Sequence, residues 1–271
     1  MSDIDIHFTN WITNIINTSD DIPLIFVSGA QGIGKSTAMN AICKAFDNQI
    51  AILGIDEFYL TKKERMSLAQ KVSPLFETRG PPGTHDLDLL NTTITALRSA
   101  TESSIITIPV FDKKIDDRVH PDEFRTFSGS PKAIIVEGWL VGASAEMTNS
   151  PLPPINDVER LPHAKEWQNY QEEQLAGPYK LLWDLSPHFF HLNAPSFETV
   201  LQWRIEQEET TLGLAKGTLH DEKRDWVKNF IQYYERLTKR MLNGQKKTGA
   251  QLFVDENRAV LKFEDRTIAN D

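Results

Sequence analysis

Gly29-Ala30-Gln31-Gly32-Ile33-Gly34-Lys35-Ser36 matches the pattern Gly-x-x-x-x-Gly-Lys-Ser at every fixed position. Glycines at these places let successive backbone amides turn inward around a β-phosphate, and a helix starting at Lys35 aims its positive dipole end at the same anion. Lys35 then reaches the β/γ oxygens and the Ser36 hydroxyl is offered to Mg2+, so this loop, with Thr37 beside it, reads as a nucleoside triphosphate cradle. A glycine-rich turn that merely contains a lysine would not have these flanks. Leu24-Ile25-Phe26-Val27-Ser28 before the loop is apolar like a strand, and Thr37-Ala38-Met39-Asn40-Ala41-Ile42 after it continues as a helix.

Outward from the loop, strand patterns at 24–28, 50–55, 104–110 and 132–137 are interspersed with helical patterns at 35–46, 61–70 and 86–99. Such alternation predicts an α/β fold, a mostly parallel sheet flanked by helices on both faces. Ahead of it, Phe8, Trp11, Ile12, Ile15 and Ile16 recur at helical spacing, predicting an amphipathic helix over 7–17. Behind it, a Pro-rich stretch at 149–155 reads as a surface loop within one domain. Helices at 160–176, 196–211 and 221–242, a strand at 188–192 and a hairpin around Asp255-Glu256-Asn257 complete the chain. The expected organisation is a single domain over 1–271, with an N-terminal helix, a lid region near 204–220 and a C-terminal hairpin.

With 29 Lys+Arg against 38 Asp+Glu, the 271-residue chain carries a net charge of −9. That balance argues against a general nucleic-acid or anionic-membrane surface and leaves phosphate binding to local sites. Cys43, the one cysteine, excludes an internal disulfide and is expected to be a small core residue; no spacing suggests zinc. The acidic Met1-Ser2-Asp3-Ile4-Asp5 start is unlike a signal peptide, and no apolar run approaches a membrane span. A soluble cytoplasmic protein is the expectation.

Asp56 ends the second predicted strand in Ile52-Leu53-Gly54-Ile55-Asp56-Glu57-Phe58-Tyr59, and in open parallel sheets ligands collect at the carboxyl ends of strands. It either caps the following turn or is the general base that orients an attacking hydroxyl and takes its proton. Glu137 closes the run Ala133-Ile134-Ile135-Val136, where it is a Mg2+ ligand, directly or through water, or a strand-end charge meeting solvent. Arg204, and Lys216 within Gly213-Leu214-Ala215-Lys216-Gly217, are candidates for the mobile cation that stabilises the moving phosphoryl group; ordinary solvation is the alternative for each.

Arg79-Gly80-Pro81-Pro82-Gly83-Thr84-His85-Asp86 reads as a rigid binding loop for a second substrate, with Arg79 a fork suited to a carboxylate and His85 a neutral partner. Asp86 is expected to cap the helix that starts behind it. In Phe111-Asp112-Lys113-Lys114-Ile115-Asp116-Asp117-Arg118, Asp112 and Arg118 are assigned to the acceptor, and Lys113 and Lys114 are read as solvated.

Taken in order, the phosphate loop, Ile55-Asp56-Glu57-Phe58-Tyr59-Leu60-Thr61, the Arg79 to Asp86 segment, Pro109-Val110-Phe111-Asp112-Lys113 and Glu137-Gly138-Trp139 resemble the D-glycerate 3-kinase family from about residue 22 to about 240. The resemblance implies the fold of P-loop nucleoside triphosphate hydrolases and kinship with uridine kinase, phosphoribulokinase and pantothenate kinase. It puts the base on Asp56, a Walker-B-like carboxylate on Glu137 and a lid arginine on Arg204. Glu57 departs from the second Asp of many relatives.

What this implies is ATP-dependent phosphorylation of a hydroxyl on a small anionic metabolite with Mg2+, D-glycerate to 3-phosphoglycerate first among acceptors. Uridine-type and pantothenate-type acceptors are the enzyme alternatives. A nucleotide-dependent switch is disfavoured because no Asp-x-x-Gly occurs and Thr61-Lys62-Lys63-Glu64 ends in Glu where a guanine-reading motif needs Asp.

Overall fold

The computed structural model describes residues 2–148 and 152–266. The chain opens with helix α1 (Asp3–Thr18), started by a capping box in which Ser2 and Asp5 satisfy each other's backbone amides. Strand β1 (Leu24–Gly29) leads into α2 (Lys35–Ala45) and β2 (Ile50–Gly54). Helices α3 (Lys62–Lys71) and α4 (Leu87–Arg98) follow, then the short strands β3 (Ile105–Ile108), β4 (Phe111–Asp112), β5 (Asp117–Arg118) and β6 (Arg125–Ser128). Strand β7 (Ala133–Gly138) returns to the centre. The remainder is α5 (Ala164–Gln174), a π turn at Leu175–Tyr179, α6 (Lys180–Trp183), β8 (Phe189–Asn193), α7 (Phe197–Thr211), α8 (Asp221–Leu242), β9 (Ala250–Val254) and β10 (Val260–Glu264).

A six-stranded sheet runs in the order β10-β9-β8-β1-β7-β2, parallel except for β10. Every residue of β1 is buried, as expected of a central parallel strand covered on both faces. Ile25 and Val27 face the core beneath α1, α2 and α7, while Leu24 and Phe26 face the core beneath α4 and α8. Helix α1 closes the first of these cores with Phe8 and Trp11 against Phe190, ring centroids 5.1 and 5.2 Å apart.

The order matters for chemistry because β7 inserts between β1 and β2. Glu137 on β7 is therefore in register with Val27 on one side and Gly54 on the other, placing it between the loop that follows β1 and the turn that follows β2.

Three expectations need correction or restriction. The strand expected at 104–110 is not in the main sheet: β3 pairs antiparallel with β6 in a separate two-stranded sheet. Its apolar side chains cannot be covered on both faces, and Ile105 is 70% exposed. Arg125 of β6 then satisfies the Ile52 carbonyl on the open edge of β2. Cys43 is half-buried rather than a core residue. Of the loop expected at 149–155, residues 149–151 lie outside the described residues. Among the described residues no helix is long and apolar enough to cross a membrane.

Candidate active site

The turn from β1 into α2 leaves its donors free for a ligand. Gly32 and Gly34 hold φ of 75° and 112°, the left-handed region that an L side chain rarely adopts. A Cβ on Gly32 would meet the Trp203 Cβ at 2.6 Å, whereas one on Gly34 would meet nothing within 4 Å. Gly32 is thus fixed by packing and Gly34 by backbone shape alone, next to open space. Helix α2 has no side-chain cap and no acid in its first turn, so its leading amides and dipole face outward unneutralised. The Gln31 Oε1 atom is buried without a partner. Lys35 folds back on the loop, its Nζ donating to the Gly29 carbonyl at 2.6 Å and the Ala30 carbonyl at 3.3 Å. Burial lowers the Lys35 ammonium from its ordinary value, opposed by the nearby charges of Glu137 and Asp56.

Asp56 lies in a tight turn, Ile55–Phe58, directly behind β2. Its carboxylate accepts from the Tyr59 hydroxyl at 2.7 Å and from Lys113 Nζ at 2.7 Å. Burial works to raise its pKa, but the Lys113 charge and hydrogen bond, followed by Tyr59, hold it down to about 2. Lys113, expected to be a solvated charge, is thus partnered with the candidate base even though its side chain is 59% exposed. Glu57 turns the other way: its carboxylate takes the Gly54 amide and a two-pronged contact from Arg125 at 3.0 and 2.8 Å. The longer acid ties β6 to the edge of the sheet.

Glu137 rises from its ordinary carboxyl value because of burial, with Lys35 pulling it down and Asp56 pushing it up. With the Ser36 hydroxyl it supplies a hard-oxygen pair at the phosphate loop, the donor chemistry that Mg2+ selects. Among the described residues no group of three or more His, Cys, Asp or Glu could hold a metal by itself, so phosphate oxygens and water would fill the rest of such a shell.

The Arg79 to Asp86 loop is clamped from beneath by aromatic hydroxyls. The Tyr234 hydroxyl donates to the Arg79 carbonyl at 2.9 Å, and the Gly83 amide donates to the Tyr179 hydroxyl at 3.0 Å. The same hydroxyl lies 2.6 Å from His85 Nδ1, and the His85 Nε2 is a buried atom without a partner. The His85 ring leans on Tyr59 at 4.8 Å, beside the base. Burial lowers its pKa to about 4, against the pull of Asp56.

The charged members of this region are matched among themselves. Arg79 pairs with Asp116, which also accepts from fully buried Arg65 at 2.9 Å, and both guanidiniums lie over the Phe111 ring. Arg118 donates to the Tyr59 carbonyl at 2.9 Å and pairs with Asp86 at 3.1 Å, while Asp86 caps α4 through the Leu89 amide. Asp112 accepts the Lys114 amide at 2.8 Å and shapes the β4–β5 turn.

Arg204 pairs with Glu208 at 2.9 Å, and Lys216 reaches Glu206 at 2.7 Å from the loop between α7 and α8. Tyr234 on α8 is acted on by the charges of Asp56, Arg79 and Arg204 together. Arg258, in the turn between β9 and β10, donates to the Gly32 carbonyl at 2.8 Å and stacks on Trp203 at 4.7 Å. No motif marks Arg258 or Tyr234, and Lys113, though it ends the segment Pro109-Val110-Phe111-Asp112-Lys113, reads from the sequence as solvated. Tyr59 was findable, standing three residues behind Asp56 in a tight turn.

No family model matches the chain. An uncharacterized kinase of Schizosaccharomyces pombe is 29% identical over 232 residues, covering 78% of this chain and 79% of the relative. The chloroplastic D-glycerate 3-kinase of Arabidopsis thaliana is 25% identical over 234 residues, which is 80% of this chain but 48% of that protein, about half its length. Among solved structures, D-glycerate 3-kinase from Cryptococcus neoformans var. grubii superposes with a TM-score of 0.79 over 98% of this chain and 100% of that one. At 20% identity that likeness is one of fold.

Proposed function

We propose that this chain, a small-molecule kinase of P-loop fold related to D-glycerate 3-kinase, transfers the γ-phosphoryl group of ATP to a hydroxyl of a small anionic metabolite, D-glycerate before others. The observation that carries the reading is one of placement: β7 lies between β1 and β2 with Glu137 in register with Val27 and Gly54, so the phosphate loop behind β1 and the Asp56 turn behind β2 leave the sheet at the same end, where the charges of Glu137 and Asp56 both act on Lys35. On this reading they open on one crevice, with the phosphate loop on one wall and Asp56, as base, on the other.

In that crevice Lys35 leaves the Gly29 and Ala30 carbonyls for the β/γ oxygens of ATP, and the amides of Gly32 to Ser36 cradle the β-phosphate. Asp56, ionised far below neutral pH, holds the acceptor hydroxyl and takes its proton as the oxygen attacks phosphorus. Ser36 and Glu137 would hold Mg2+, which supplies charge neutralisation across the β- and γ-oxygens when bound. Arg79, half-buried and paired with Asp116, is the donor for an acceptor carboxylate, and His85, protonated on the unpartnered Nε2, offers that proton to a second acceptor oxygen.

The test is ADP release with ATP and a panel of small hydroxy acids, sugars and uridine. Uridine belongs in the panel because a nucleoside is the other acceptor class that the sequence resemblance implies. Turnover with D-glycerate above every other acceptor is expected. Turnover with uridine alone would replace the acid reading by a nucleoside one.

A further inference from the structure

Phosphoryl transfer needs a cation that meets the γ-oxygens as charge spreads over them, and it must be free to move there. The basic residues on the lid side are encumbered. Arg204 is only 17% exposed and is paired with Glu208, which also holds Lys223 at 3.0 Å. Lys216 is held by Glu206, which Arg258 approaches from the other side at 3.5 Å. The buried Glu209 carboxylate pins the same loop through the Gly217 and Leu219 amides, at 3.0 and 2.9 Å.

Lys113 is differently placed. It stands at the head of the β4–β5 turn, 59% exposed, with its Nζ 2.7 Å from the Asp56 oxygen. Its charge also acts on Lys35 and on Glu137, so the ammonium stands between Asp56 and the charged groups of the phosphate loop. The turn that presents it is fixed at both ends: Asp112 takes the Lys114 amide, and Asp116, in a left-handed conformation with φ 57°, is gripped by Arg65 and Arg79. The backbone is anchored, and the side chain is tied to Asp56 itself, the partner that an acceptor hydroxyl would take over.

We propose that Lys113 is a catalytic residue of this kinase, supplied from the acceptor side: it neutralises Asp56 while the site is empty and passes to the γ-phosphoryl oxygens as charge develops on them, leaving Asp56 to the acceptor hydroxyl. The proposal rests on the kinase reading above. In the step it serves, the acceptor oxygen bonds to the γ-phosphorus and the bond from that phosphorus to the β–γ bridging oxygen breaks. The electron pair leaves on ADP and the hydroxyl proton goes to Asp56. Lys113 keeps its own proton throughout and acts by charge.

Steady-state kinetics of Lys113→Met and Lys113→Arg with the best acceptor test this. Lys113→Met is expected to lower kcat about 100-fold with both KM values within about threefold, because the contact exists only as charge develops. Lys113→Arg is expected to recover part of the loss. Turnover of Lys113→Met at or above the parent rate overturns the proposal, since a lysine that only neutralises an empty base would release it when removed. A loss confined to KM overturns it as well.

A second measurement needs no acceptor: the Kd of ADP with Mg2+ and aluminium fluoride, a planar mimic of the phosphoryl group in flight, compared with the Kd of ADP and Mg2+ alone. Lys113→Met should weaken the fluoride complex at least about tenfold and leave ADP binding unchanged. Equal binding of the mimic by parent and variant overturns the role of Lys113 whatever the acceptor screen gives. Weakened mimic binding beside a screen with no product supports Lys113 and removes the acceptor assignment instead.

Discussion

The two walls of the proposed crevice are built on opposite plans. The phosphate wall is one continuous stretch, from the end of β1 through the first turn of α2, and it leaves its donors exposed: no side-chain cap, no acid in the first turn, open space above Gly34. The acceptor wall gathers separate segments around Asp56, Arg79, Phe111 and Tyr234, and its charges are matched in pairs: Asp56 with Lys113, Arg79 with Asp116, Arg118 with Asp86, Glu57 with Arg125. A loop of backbone amides can wait for its anion because amides carry only partial charges, which water satisfies at little cost. Full charges crowded beside an apolar ring cannot wait unpaired, since desolvation without a partner is expensive. Binding to the amides of the first wall is therefore addition, with Lys35 changing partners beside them, and on the second wall it is exchange.

Changes that break the contrast can be ranked by size. Asp56→Asn removes the proton acceptor while keeping the shape, and kcat with the best acceptor should fall about 10³-fold with little change in nucleotide Kd. Full turnover by that variant would strip Asp56 of its role. Arg79→Ala should raise the KM for an acidic acceptor about 30-fold and leave the KM for ATP alone, as expected for loss of a charge-assisted contact. A matched rise in both KM values would mean that the acceptor loop, held by Tyr234, had collapsed.

Gly32→Ala tests the other wall. The added methyl must accept φ 75° and stand 2.6 Å from the Trp203 Cβ, so unfolding free energy should drop by about 2 kcal/mol and ATP affinity with it. Gly34→Ala carries the φ penalty without the collision and should cost less. Calorimetry of the two variants orders them.

The smallest effect is a pH dependence. The folded state holds His85 down to about 4 from an ordinary value near 6.5, so its contribution to stability is complete above 6.5. As pH falls below 6.5 the unfolded chain takes up a proton that the folded imidazole refuses, and stability declines until the folded group titrates near 4. Buried His191 adds in the same direction. Denaturant midpoints at pH 7 and pH 5 should differ less in His85→Gln than in the parent, and an equal difference would contradict the assignment.

Legibility in the sequence followed the same division. The cradle from Gly29 to Ser36 could be read directly because its geometry is enforced by neighbours along the chain, glycines and a helix start. The alternation of strand and helix was legible for a similar reason: burial on both faces makes β1 and β7 continuously apolar. Even the capping role of Asp86 could be read, since a cap is a contact across three residues. The removal of β3 from the main sheet was less accessible, because an apolar run of that length does not say which faces will be covered.

What the sequence by itself determined is the phosphate loop, the parallel α/β plan and the choice of Asp56 and Glu137 as strand-end carboxylates. What only the tertiary structure decided is which partner each charge takes. Lys113 reaches Asp56 across 57 residues, Arg79 reaches Asp116 across 37 and Arg258 reaches Gly32 across 226. Local backbone preferences act over a few residues and leave a periodic trace, whereas ion pairs between distant segments depend on how the sheet order folds them together, and that order leaves no mark in the spacing of residues.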